Sequence, residues 1–104
     1  MNRKPRPTAS LDLQDGARAL VKGVLLFDTV GALLPQGSAA IADKRAAVID
    51  LAGVSASDSA GLALLIEWLS VARSLGHDLR YEHMPQQLRQ LADLSEVEAL
   101  LLAK

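Results

Sequence analysis

The chain has 104 residues and a formal charge of −1 at pH 7, half of its residues are apolar, and it contains no cysteine. That length fits one domain with a modest margin of stability. The near-neutral charge gives no global signal for nucleic acid or an anionic membrane, and the missing cysteines exclude disulfides, thiolate metal sites and a cysteine nucleophile.

Residues 1–7 carry Arg3, Lys4 and Arg6 beside two prolines and lead into no apolar run, so they read as a flexible arm rather than a signal peptide. No stretch has the roughly 18 uninterrupted apolar residues of a membrane span. From Thr8 to Leu13, Ala9, Leu11 and Leu13 alternate as one face of a half-buried strand. Asp15-Gly16 is a turn signal, and Ala17 to Gly23 is expected to pair back as a hairpin.

Val24 to Phe27 is apolar without a clear period. Asp28 or Thr29 then caps a helix with Val30, Leu33, Leu34 and Ile41 as its apolar positions, bent or split by Pro35 and Gly37. Ala46 to Leu51 is continuously apolar and predicts a central strand covered on both faces. A loop to Asp58 follows, then a helix from Ser59 to about Leu75, ended by Gly76. Asp58 and Ser59 are both good N-cap types, and Ser59 is read as a cap. His77 to Glu82 forms another strand, Pro85 suits a helix start before Leu88, Leu91 and Ala92, and Ser95-Glu96-Val97-Glu98 matches a capping box for a short terminal helix.

The order strand, strand, helix, strand, helix, strand, helix, helix implies a parallel strand pair with a right-handed crossover. The fold class is α/β: one domain, a mixed four-stranded sheet and about four helices packed on it.

The helix after Asp58 has two apolar stripes. Leu62, Leu65, Ile66, Leu69 and Ala72 make a core face, and Leu64, Trp68, Val71 and Leu75 gather beside them. A helix on a sheet needs an apolar stripe of only about 100°. The second stripe is either covered by the preceding helix, used in self-contact, or a docking surface anchored by Trp68, a residue type enriched at the centre of interfaces. The docking reading is favoured here, with Asp58, Ser59, Ala60, Leu64, Trp68 and Val71 as its surface and Gly61 allowing a partner to approach closely.

The run Val48-Ile49-Asp50-Leu51, the following loop and Asp58-Ser59-Ala60-Gly61-Leu62 resemble the STAS domain, the fold of bacterial anti-sigma factor antagonists. The resemblance covers most of the chain from Thr8 onward, placing a STAS domain at residues 8–104, and is most specific between Val48 and Leu69. Gly61-Leu62-Ala63-Leu64-Leu65 and the apolar second stripe look most like the STAS subunit of an Mla-type ABC transporter, which maintains outer-membrane lipid asymmetry. That likeness implies a non-catalytic subunit without a cofactor. It would bind an MlaF-like cytoplasmic ATPase, and through it the inner-membrane permease, as a cytoplasmic protein peripheral to the inner membrane. The antagonist branch implies instead a switch phosphorylated at Ser59. Antagonists commonly carry a second hydroxyl where this chain has Ala60, and Gly23-Val24-Leu25-Leu26 stands where the family often has Gly-x-Leu-Asp.

Asp50 and Asp58 are the only acids of the central stretch. With no histidine cluster or phosphate loop beside them, they are not read as an acid–base or metal pair. His77 and His83 are expected to be exposed or weakly bonded rather than metal ligands.

Overall fold

A computed structural model describes residues 7–95. Seven elements follow one another: β1 (Ala9–Gln14), β2 (Arg18–Leu25), α1 (Phe27–Ala42), β3 (Val48–Ser57), α2 (Ser59–Leu75), β4 (Arg80–Glu82) and α3 (Gln86–Leu94). The sheet order is β1-β2-β3-β4, antiparallel between β1 and β2 and parallel in the other two pairs. The α/β class and the four-stranded mixed sheet agree with expectation. The described residues hold three helices rather than about four. The helix expected from Glu96, and the arm of residues 1–6, lie outside the described residues.

The hairpin forms where Asp15-Gly16 predicts it. Gly16 (φ +79°) and Ala17 (φ +58°) both take the left-handed conformation that reverses the chain. β2 continues through Val24 and Leu25, so only Leu26, extended at φ −123°, separates it from α1.

β3 runs ten residues, through the stretch expected to be a loop. Its pairing with β2 slips between Leu20 and Lys22 and again between Gly23 and Val24. Each slip shifts which side chains point inward, so Ile49, Leu51, Val54 and Ser57 are buried without strict alternation. β3 is central, but one face only is covered. Ala19, Val21, Ile49, Leu51 and Tyr81 point into a single core shared with all three helices. The other face carries Asp12, Arg18, Lys22, Asp50 and Glu82, with ion pairs such as Lys22–Asp12 at 2.9 Å. An antiparallel hairpin edge and an alternating charged face are compatible with a sheet wet on one side.

α1 is one continuous helix with Pro35 inside it. Proline forfeits a single helical hydrogen bond and sits on the exposed side, away from the core. Gly37 is a packing device rather than a break. The Trp68 indole lies directly against it, and a Cβ there would overlap the ring. The indole N–H donates to the Leu34 carbonyl at 3.2 Å, so the ring is buried with its polar atom satisfied.

α2 starts and stops as expected. Gly76, at φ +69°, caps its end. The Tyr81 hydroxyl donates to the Leu65 carbonyl at 2.6 Å and ties β4 beneath the helix. Burial pushes that phenol well above its ordinary pKa. At the C-terminal ends of the helices, His77 is half-buried and its Nδ1 bonds the Ile41 carbonyl at 2.9 Å. This contact is firmer than the weak bonding expected, and it latches the exit of α2 to α1.

Candidate functional site

The starts of α1 and α2 lie side by side at one end of the sheet, and one carboxylate serves both. Asp58 Oδ1 accepts from the Ala60 N–H at 2.8 Å, and Oδ2 accepts from the Phe27 N–H at 3.3 Å. The first amides of a helix have no partner within it and need an acceptor; Phe27 is the first residue of α1 and Ala60 the second of α2. Asp58 therefore caps its own helix and, 31 residues away in sequence, the neighbouring one. Neither Asp28 nor Thr29 caps α1. Thr29, the third residue of the helix, instead turns back, accepting from the Leu26 N–H at 2.9 Å and donating to the Val24 carbonyl at 2.7 Å.

Ser59 is the first residue of α2, not its cap, and is exposed. Behind it, Ser57 is buried. Its N–H donates to Gln87 Oε1 at 3.0 Å and its hydroxyl to the Asp58 carbonyl at 3.1 Å, so α3 braces the strand end that presents Asp58 and Ser59.

The expected docking stripe does not lie on the surface. Trp68 is 0% exposed and Leu64 is 4% exposed, both inside the core. Val71 is half-buried against that core, and only Leu75, at 47%, stands well out. The covering element is α1, as the alternative reading of the stripe held. A docking surface built on Leu64 and Trp68 is thereby corrected. Gly61 is corrected in the same way: the close approach it allows is internal, to the Ser57 hydroxyl and to Leu25 at the end of β2.

A different apolar surface is open. Phe27, at the start of α1, is 81% exposed. It heads a groove of about 420 Å³ between the helices, lined by Phe27, Val30, Gly31 and Leu34 from α1 and by Ala60, Ala63, Leu64 and Glu67 from α2. These are the i, i+3, i+4, i+7 rows of two adjacent helices. Small side chains at Gly31, Ala60 and Ala63 keep the groove open. Of the residues proposed from sequence, Asp58, Ser59 and Ala60 belong to this end of the molecule. Phe27, Val30, Leu34, Ala63 and Glu67 were missed. A start of α1 at Phe27 aligns Phe27, Val30 and Leu34 on one row and Leu33, Gly37 and Ile41 on another, and that alignment was the available signal.

The family model described as the Mlab, STAS domain matches residues 10–103. The chain belongs to this STAS family. Two solved structures share its STAS fold. One is the Bacillus cell fate determinant SpoIIAA in the phosphorylated form (TM-score 0.66, 15% identity, covering 90% of this chain and 87% of that one). The other is the anti-sigma factor antagonist SpoIIAA in its unphosphorylated form (TM-score 0.67, 16% identity, covering 86% and 82%). A comparison with curated proteins found no match. Among the described residues, no helix of this STAS domain is long and apolar enough to cross a membrane.

The remaining cluster of charge lies on the open sheet face. Ligand atoms of Asp50, Glu82 and His83 fall within 4.8 Å of one another. Arginines already occupy the carboxylates: Arg18 bonds Glu82 and lies 3.8 Å from Asp50, and Arg80 is 3.0 Å from Glu82. His83 Nδ1 is 3.0 Å from Asp50. Two guanidiniums on three donors make a poor seat for a cation. Asp50 and Asp58 stand at opposite ends of β3, roughly 25 Å of extended chain apart, so they form no pair.

Burial pushes the Asp50 carboxyl up, but the Ala52 N–H, His83 and Arg18 together outweigh it and hold the group below its ordinary value. The Arg18 hydrogen bond, aided by the charge of Arg80, likewise holds Glu82 down against some desolvation. A carboxylate with a lowered folded pKa stabilises the fold above its unfolded pKa and loses that contribution as pH falls through the folded value. At pH 7 the parent should therefore melt above an Asp50→Asn/Glu82→Gln variant. The two melting temperatures should converge only as pH falls below the lowered folded values of both carboxyls, beneath the ordinary carboxylate range. A gap that stays constant with pH contradicts this assignment.

Proposed function

We propose that this chain is the non-catalytic STAS subunit of an Mla-type phospholipid ABC transporter. In this reading it docks on the cytoplasmic ATPase subunit, supports assembly and activity of the complex in maintaining outer-membrane lipid asymmetry, and meets the inner membrane only through its partners. Membership of the Mlab-described STAS family supports the transporter branch. The observation that carries the docking surface is Phe27, exposed over an apolar groove beside Ser59. Large aromatic side chains left in water next to an apolar groove mark interaction sites more often than chance.

The test is recovery of partners from the native host. The parent chain is expected to bring down an ABC ATPase. Ser59→Asp adds charge to the exposed rim of the site without touching the core, so recovery should fall while the melting temperature stays within about 2 °C of the parent. A parent chain that recovers no ATPase contradicts the proposal.

A second reading draws on the same exposed hydroxyl. Ser59 is presented at a helix start, where a phosphate would meet the partial positive charge of the dipole, as a phosphorylation-controlled antagonist would require. Recovery of a kinase and a sigma-factor regulator in place of the ATPase, with phosphate on Ser59, would select it. Size-exclusion chromatography of the isolated chain shows whether it pairs with itself when no partner is present.

A further inference from the structure

The groove between α1 and α2 has a charge pattern that its apolar floor does not explain. Residues 27–42 and 59–72 contain Asp28 and Glu67 but no lysine or arginine. Asp28 is exposed one residue from Phe27, and Glu67 is exposed while lining the far end of the groove. At the near end the positive ends of both helix dipoles already face Asp58. Glu67 lies more than two turns further along, beyond the first-turn reach of the helix starts, and the ion pairs of the described residues do not include it; the basic residue of α2, Arg73, stands in its last turn.

We infer that the groove receives a partner segment which sets a large apolar side chain against Phe27 and an arginine or lysine on Glu67. This rests on the reading of the chain as a docking subunit and specifies the chemistry of its partner. Val30, Leu34, Ala60 and Ala63 supply the apolar floor on which the anchor is desolvated, and an O-ring of such contacts is what makes an aromatic anchor count. Glu67 supplies orientation, because the near-end acids, Asp28 and Asp58, stand at helix starts whose partial positive charge offsets them, whereas Glu67 has no such offset at the far end. A second copy of this chain is the competing occupant.

The experiment places the photoreactive analogue p-benzoylphenylalanine at position 27, expresses the chain in its native host, irradiates it and sequences the crosslinked peptide. The expected peptide comes from the ATPase and carries a large apolar residue within a few positions of an arginine or lysine. Glu67→Lys should lower recovery of the ATPase by about tenfold or more through like-charge opposition. Glu67→Gln should lower it less, and reversing the partner's cation should restore binding to Glu67→Lys. Melting temperatures of the variants establish that they fold. A crosslink to the chain itself, a crosslinked segment without a cation, or Glu67→Lys binding as well as the parent overturns the inference while the ATPase is still recovered. Failure of the parent to recover the ATPase overturns the functional reading along with it.

Discussion

Replacing Trp68 with alanine is expected to cost about 4 kcal/mol, the usual scale for deleting a fully buried tryptophan. The ring is wholly enclosed, packed on Gly37 and bonded through its N–H to Leu34, so the space left behind has little to collapse into it. A domain of this size commonly has only 5–15 kcal/mol in hand, so the variant should lose a large share of its stability in urea titration. The contact can be isolated from the other side. Gly37→Ala should destabilise the parent, because its Cβ would enter the indole. In the Trp68→Ala background the same change should be neutral or stabilising, since alanine is the better helix former by about 1 kcal/mol. A Trp68→Ala cost below about 0.5 kcal/mol would instead place the indole on the surface. Trp68→Glu is for the same reason unsuitable as a binding variant, because it removes the fold before it tests a contact.

Asp58→Ala should cost about 2 kcal/mol, twice the typical loss for one N-cap, because two helix starts lose their acceptor together. For a domain of this length that corresponds to a fall in melting temperature of roughly 10 °C. Asp58→Asn retains one carbonyl oxygen and should recover about half of the loss. If Asp58→Ala cost no more than a single cap, the bond to Phe27 would be idle and the two helices would begin independently.

The double cap also shows where sequence reading reaches and where it stops. The span of α2 was legible because its signals are local, Asp58 and Ser59 before it and Gly76 after it, although the cap is Asp58 and not Ser59 as expected. The start of α1 was not, since the acceptor for the Phe27 amide comes from a residue 31 positions away and the local contribution, Thr29 accepting from the Leu26 N–H, comes from the third residue of the helix rather than from the cap position. β3 was cut short for a related reason. Its two register slips against β2 break the alternation by which a strand is recognised, so residues 52–57 read as a loop. The fate of Trp68 could not be read from one helix. A helical wheel places it on a second stripe correctly, but whether that stripe meets water depends on a glycine in another helix that admits the ring. Gly37 looked like a defect in α1 and is the reason α1 can cover α2.

These corrections move the proposed docking surface without removing it. It passes from the flank of α2 to the shared start of both helices, where Asp58, Ser59 and Ala60 meet Phe27. The buried indole joins the two helices that form the groove, and the exposed phenyl ring marks its mouth.

The most direct measurement is the affinity of the purified chain for the ATPase subunit with two apolar residues truncated in turn: Phe27 at the groove, and Leu75, the most exposed member of the α2 stripe. Phe27→Ala should weaken binding by about 30-fold or more, the scale of an aromatic anchor, and Leu75→Ala should bind within about threefold of the parent. The reverse order, with Leu75→Ala crippled and Phe27→Ala unaffected, would contradict the placement of the interface at the helix starts.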